Sequence, residues 1–199
     1  MRISSGSLKG RRIPFDNHKF DDADVTPSKV KEAVFSMLGE DLTGKTFLDL
    51  FAGSGQVGLE ALSRGAAWTV FNDRDGKRVH FIGELARQWG LVDRSLVLHM
   101  SSAQCLRFLE HREKSFDIVF LDPPYIKKGD DKYFYADILA SLAKHRLLAD
   151  NAAVIIQHFS KNSIPEDAGG LALQKTRTYG TSSLSVYGAP GSPGEGIIP

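Results

Sequence analysis

Cysteine is nearly missing from this chain. Cys105 is the one thiol among 199 residues, which excludes an intramolecular disulfide framework and fits a reduced, cytoplasmic setting. Long apolar runs are missing too: none reaches the roughly 20 residues that a membrane span needs. The basic start MRISSGSLKGRR is not followed by the apolar segment of a secretory leader, so a protein that is neither membrane-bound nor exported is expected. Charge of one sign is not in excess, with a formal net charge of +1, so any contact with nucleic acid must come from a local basic patch. The six histidines show no i, i+3 or i, i+4 pairing. A helix-borne zinc site therefore has no support, and no metal is expected.

What is present is alternation. Short apolar runs of strand length, at residues 45–50, 68–72, 95–99, 116–121 and 152–158, are separated by segments of helical periodicity at 57–64, 77–89, 103–111 and 133–147. Strands alternating with helices predict parallel βαβ units. Residues 171–179 and 182–187 differ, reading as an antiparallel hairpin at the sheet edge. The expected architecture is α/β and Rossmann-like: a mostly parallel seven-stranded sheet with a C-terminal antiparallel hairpin.

One domain, spanning 41–188, takes up most of the chain, and the Gly/Pro-rich end, 189–199, reads as a flexible tail. Ahead of it, residues 1–40 form a basic arm followed by a helix over 28–38, with Thr26-Pro27 suited to the cap and first turn. Val30, Val34, Met37 and Leu38 fall on one face of that helix.

The first strand runs into FAGSGQVG, which matches G-x-G-x-x-G after a strand and at the start of a helix. By itself this is equally a tight strand-to-helix turn. Asp73, about 20 residues beyond Gly53 at the end of the second strand, is placed to accept ribose hydroxyls, and an adenosine-containing cofactor becomes the expectation. Asp75 nearby reads as a helix N-cap.

NAD and S-adenosylmethionine both satisfy these features. The choice falls to the fourth strand, which ends in Asp122-Pro123-Pro124-Tyr125. Two prolines remove two backbone donors and hold an extended course, so the Asp122 carboxylate and the Pro123 carbonyl become a pair of acceptors beside an aromatic ring. That trio suits a planar base with an exocyclic amine: the two N–H bonds are held, the lone pair is directed at an electrophile, and Tyr125 stacks on the base. Hydride transfer has no use for it.

With GSLKGR, VKEAVFSML, LDLFAGSGQVGLEALSRGA, FDIVFLDPPY and TRTYGTSSLSVY in order, the chain resembles the bacterial 16S rRNA guanine-N2 methyltransferase family, the RsmD-like proteins. The resemblance implies S-adenosylmethionine as cofactor and a guanine of 16S rRNA, in the small ribosomal subunit or its assembly intermediate, as acceptor. It implies that Asp49, Phe51, Ala52, Gly53, Ser54 and Gly55 line the methionine side, that Asp73 holds the ribose, that Arg74, Ser102 and Ala103 lie by the adenine, and that Asp122, Pro123, Pro124 and Tyr125 hold the target base. A monomer is expected.

Departures from the family pattern are also present. Asp24 and Val25 stand where Arg-Pro is usual, Lys29 and Lys31 where the helix carries arginines, Ser102 where Asp is common, and Thr181 where Asp follows Tyr-Gly. Lysine keeps charge but loses the guanidinium fork. From charge and position, Arg2, Lys9, Arg11, Arg12 and Lys29, with Lys127 and Lys128 after the target-base motif, are the candidate RNA contacts. Other readings of the same residues are a DNA adenine-N6 or cytosine-N4 methyltransferase, a catalytically weak RNA-binding assembly factor and, less well supported, a small-molecule methyltransferase or an NAD enzyme.

Overall fold

Each apolar run of the sequence becomes a strand of one sheet. The computed structural model describes residues 1–16, 28–124 and 131–189; Thr26-Pro27 and the segment after Ala189 lie outside these. In chain order the elements are α1 (Ser28–Leu38), β1 (Thr46–Asp49), α2 (Gln56–Ser63), β2 (Trp68–Asp73), α3 (Gly76–Gln88), β3 (Ser95–His99), α4 (Ser102–Glu110), β4 (Phe116–Leu121), α5 (Asp131–Lys144), β5 (Leu148–Phe159), β6 (Asp167–Ala168), β7 (Leu171–Tyr179) and β8 (Ser182–Gly188). The strands lie in the order β3-β2-β1-β4-β5-β8-β7-β6. Pairing is parallel from β3 to β5 and antiparallel from β5 outward to β6.

The parallel strands are apolar at consecutive positions because both sheet faces are covered. In β4, Ile118 and Phe120 pack with Val34 and Phe35 of α1 and Val57 of α2. Val119 and Leu121 face the other way, onto Cys105 and Leu106 of α4 and Leu139 and Leu142 of α5. The four residues expected on the buried face of α1 are all buried.

The sheet has one strand more than expected. Asp167-Ala168 pairs with Leu171-Ala172 through Gly169 and Gly170, both at positive φ (61° and 80°), the geometry that a two-residue hairpin turn demands. A two-residue strand carries no periodicity and leaves no signal in the sequence. The fifth strand also starts earlier than its apolar run: Leu148 pairs with Phe116, and the register then shifts so that Ile118 meets Ala153. Asp150 and Asn151, turn residues by type, form that irregularity, with Asn151 at φ 60°.

Residues 1–16 pack against the domain. Ile3, Leu8 and Ile13 are buried with Leu59 and Leu62 of α2, Phe71 of β2 and Ile82 of α3. Glu60 anchors this arm from the middle of α2. It accepts from the Ser4 and Ser5 N–H groups, each at 2.9 Å, and from the Ser4 hydroxyl at 2.8 Å. Its fourth partner is Lys31 Nζ of α1, at 2.6 Å, and Lys31 also donates to the Arg2 carbonyl at 2.6 Å. Burial raises the Glu60 carboxyl, but the hydrogen bonds from Lys31 and Ser4 outweigh it and hold the group below its ordinary value. Lys31, one of the departures from the family pattern, is thus spent inside the protein at 2% exposure.

Removing Glu60 strands the Lys31 charge and three donors of the arm. Glu60→Ala is expected to lower stability by about 3–5 kcal/mol, and pairing Lys31→Met with Glu60→Gln to recover most of that loss, both read by urea unfolding. A loss for Glu60→Ala within the range of a surface pair, up to about 1 kcal/mol, would show that the arm is held by its apolar residues alone.

Candidate active site

β1 is the strand at which the winding reverses. The chain steps from β1 to β2 and β3 on one side, then returns to place β4 on the other. Loops leaving β1 and β4 diverge to opposite faces, and a crevice opens above the carboxyl ends of the strands. A cavity of about 710 Å³ occupies this position.

The wall contributed by β1 is the glycine turn. Gly55 ends it at φ 72°, in the left-handed region, as the N-cap of α2, and a Cβ there would meet Ile82 Cγ1 at 2.9 Å. Gly58 serves packing: a Cβ would lie 2.3 Å from the Phe71 ring, so α2 can sit directly on the sheet. Gly53 lines the cavity, and among the described residues nothing lies within 4 Å of where its Cβ would be. Two cross-strand bonds fix the turn to β2: Ala52 N–H donates to the Asn72 carbonyl at 2.8 Å, and Gly53 N–H to Asp73 Oδ2 at 2.8 Å. Asp73 Oδ1 accepts from Asp75 N–H at 2.9 Å. An ionised carboxylate has about four acceptor sites, so Asp73 keeps capacity for a ligand. Asp75 caps α3, accepting from Lys77 and Arg78 N–H.

Four aspartates, Asp49, Asp73, Asp75 and Asp122, line this cavity together with Arg74 and Arg78. Asp49 is buried at the end of β1, where its Oδ2 accepts from Gly58 N–H at 3.1 Å. Burial, followed by the charges of Asp122 and Asp73, pushes its pKa up to about 8 against the pull of the Gly58 bond. Such a cavity favours a ligand carrying positive charge.

Of the residues singled out in the sequence, the cavity brings together Asp49, Phe51, Ala52, Gly53, Ser54, Asp73, Arg74, Ser102, Asp122, Pro123 and Pro124. Gly55 shapes the turn without lining the cavity. Ala103 is exposed on α4, and Ser101, the α4 N-cap in a capping box with Gln104, lines the wall instead. Tyr125, Lys127 and Lys128 lie outside the described residues. Arg2, Lys9, Arg11, Arg12 and Lys29 are exposed. Arg2 and Arg12 border an open groove beside Glu32, and Arg11 sits over the Trp89 ring at 5.5 Å. The arm reaches the glycine turn, with Met1 Sδ 3.7 Å from Ser54 Oγ.

Several lining residues carry no motif. Asn72 donates from Nδ2 to the Leu50 carbonyl at 3.1 Å, while its Oδ1 is buried with no hydrogen-bond partner among the described residues. Met100, Phe134, Gln157, Thr181 and Ser182 complete the far side. Asn72 precedes Asp73 at a strand end, which is a positional signal; Gln157, followed by His158, ends the apolar run of β5.

This fold and this crevice define the class: the Rossmann-like fold of S-adenosylmethionine-dependent methyltransferases. A solved RNA methyltransferase from Salinibacter ruber, in complex with S-adenosyl-L-homocysteine, shares the fold at a TM-score of 0.63 and 15% identity, covering 88% of this chain and 100% of that one. The chain belongs to the RsmD-like family: the family model described as Conserved hypothetical protein 95 matches residues 1–188. YlbH of Bacillus subtilis is 32% identical over 187 residues, 94% of this chain and 98% of that protein. Ribosomal RNA small subunit methyltransferase D of Haemophilus influenzae is 33% identical over 190 residues, 94% of this chain and 93% of that protein. Among the described residues no helix is long and apolar enough to cross a membrane.

The Asp49 proton has a consequence for stability. The native state holds it up to about pH 8, whereas the unfolded chain releases it near the ordinary aspartate value of 3.8. Between these limits the native state binds more protons, so stability falls as pH rises. Urea unfolding of the ligand-free protein across this window is expected to show a slope more negative than that of Asp49→Asn by up to about 1.4 kcal/mol per pH unit. Equal slopes would mean that Asp49 is ionised throughout.

Proposed function

We propose that this chain is an S-adenosylmethionine-dependent methyltransferase that modifies the exocyclic N2 amine of a guanine in 16S rRNA, acting on the small ribosomal subunit or its assembly intermediate. The observation that carries the reading is that the glycine turn with Asp73 and the Asp122-Pro123-Pro124 segment are two walls of one cavity. Names of relatives such as the Haemophilus influenzae protein support an rRNA acceptor.

The residues present fit this cofactor. The open space at Gly53 admits the backbone-close approach of a ligand, Asn72 Oδ1, without a hydrogen-bond partner among the described residues, offers an acceptor, and the excess of aspartates over arginines in the lining suits a ligand with ammonium and sulfonium charges. Asp49, Phe51, Ala52, Gly53 and Ser54 would hold the methionine side, with Gly55 shaping the turn. Asp73 would hold the ribose hydroxyls, and Arg74 and Ser102, beside Ala103, would border the adenine. When bound, the cofactor supplies a methyl group on a positively charged sulfur.

The remaining work belongs to the chain's own residues. The Asp122 carboxylate and the Pro123 carbonyl accept the two N–H bonds of the base amine, so that its lone pair is directed out of the ring plane. Pro124 keeps this segment extended and free of backbone donors, and Tyr125 stacks on the base. Orientation and fixed dipoles supply the rate gain. In residues 1–40 we assign Arg2, Lys9, Arg11, Arg12 and Lys29 to phosphate contacts, joined by Lys127 and Lys128, which follow the target-base motif in the chain. Met1 beside Ser54 supports an arm that brings basic groups to the cofactor side of the crevice.

The test is methyl transfer from labelled cofactor to small subunits from a strain lacking this protein, with free 16S rRNA and duplex DNA alongside. Label is expected in rRNA, recovered as N2-methylguanosine. Asp122→Ala should slow transfer roughly 10²–10³-fold while leaving S-adenosyl-L-homocysteine affinity unchanged by calorimetry. Label only in duplex DNA would overturn the acceptor, and an unimpaired Asp122→Ala enzyme would overturn the role of that carboxylate.

A further inference from the structure

Gln157 is the one amide in the apolar run of β5 from Ala152 to Ile156 and onward. Ala153 and Ile155 pack into the core on its own face of the strand, and its partner across the antiparallel pairing with β8 is Leu184. The residue is 6% exposed, and its Oε1 is buried with no hydrogen-bond partner among the described residues. It is nonetheless a wall residue of the active-site cavity. A polar atom held in this way is costly in a core and useful only where a ligand completes it.

Its position says which part of the ligand. Leu121 of β4 pairs in register with Ile156 of β5, so the next residue along each strand, Asp122 and Gln157, is a lateral neighbour across a spacing of about 4.8 Å. Gln157 therefore stands beside the carboxylate assigned to the target amine, on the side away from the glycine turn.

We propose that Gln157 selects guanine by reading the edge next to the reacting amine, an inference that rests on the guanine-N2 reading above. On guanine, the group beside the N2 amine is the N1–H donor, followed by the O6 acceptor. A carboxamide carries one acceptor and two donors, so Oε1 takes N1–H and Nε2 gives to O6. Adenine and cytosine, presented by their own exocyclic amines, place a ring-nitrogen lone pair at that point. Their lone pair would face Oε1 and leave it unpaired. The buried acceptor thus matches a single base, and a site with a buried polar group rejects the analogue that fails to pair with it.

The experiment starts by mapping the nucleoside that the wild-type enzyme labels. 16S rRNA is then assembled by splinted ligation with either guanosine or 2-aminopurine riboside at that position and reconstituted into subunits. 2-Aminopurine keeps the reacting amine but lacks both N1–H and O6. Wild-type kcat/KM is expected to favour guanosine by roughly 10–100-fold, the effect of leaving one buried acceptor unpaired. Gln157→Leu should lower kcat/KM for guanosine while sparing 2-aminopurine, bringing the ratio close to one. Gln157→Glu, which still accepts from N1–H, should retain part of the preference. Calorimetry with S-adenosyl-L-homocysteine should show each variant folded with wild-type cofactor affinity. If Gln157→Leu slows both acceptors by the same factor, the residue is structural and the proposal is overturned, with the guanine reading intact. If wild-type label is recovered on another base, the guanine reading fails and this proposal with it.

Discussion

The position of β1 between β2 and β4 is the constraint from which the rest of the molecule follows. Right-handed crossovers put α2 and α3 on the face covered by α1 and the arm, and α4 and α5 on the other. At β1 the two directions of winding part, so the carboxyl end of the sheet cannot be sealed there by a helix. Residues at the strand ends inherit the crevice. Asp49 and Asp73 close β1 and β2, Asp122 follows β4, Gln157 ends the apolar run of β5, and all four meet one cavity although as many as 108 positions separate Asp49 from Gln157.

Grouping four aspartates in that crevice has an electrostatic cost that the fold meets in different ways. Asp73 is stabilised by two backbone N–H groups and by Arg78, whose Nη1 lies 3.8 Å away. Asp49 has one such bond, deeper burial and two acidic neighbours, and it holds a proton instead. A cationic ligand would reverse this balance, since positive charge in the cavity favours the ionised form. Glu60 solves the opposite problem outside the cavity, where a fully buried carboxylate is kept charged by Lys31, Arg64 and the arm. That cluster ties the arm to α2, the helix that follows the glycine turn, so the basic surface and the cofactor wall share one anchoring helix.

What could be read from the sequence was what is local in the chain. The glycines at 53, 55 and 58, the cap at Asp75, and the Asp-Pro-Pro segment each act within a few residues of themselves, and their chemistry shows in the order of letters. The α1 helix could be bounded because its apolar face repeats at 3.6 residues. Lys31 could not be recognised as an internal ion pair, because its partner is in another helix. The arm was legible as charge, while Ile3, Leu8 and Ile13, spaced by five and matching neither period, carried the packing that charge alone did not reveal. The β5 irregularity at Asn151 and the two-residue β6 depend on pairing across the sheet and have no period to detect.

Gln157 and Asn72 show why the site itself was only half legible. Each is a single amide next to apolar neighbours, and in the sequence neither differs from a polar residue at a strand end. Only the strand order places one on each side of β1, with a buried oxygen lacking a partner among the described residues at either flank of the cavity. In a core such atoms are costly, an unmet acceptor on the order of 1–3 kcal/mol. Thr69 Oγ1 carries that cost away from the cavity, whereas Asn72 and Gln157 line it, where a bound molecule can meet their oxygens, and the apolar clusters on both faces of the sheet supply the stability that tolerates them. Local disagreement with good packing, read against the topology, is therefore a signal of the ligand: one unmet acceptor faces the cofactor half of the crevice, the other the half assigned to the base.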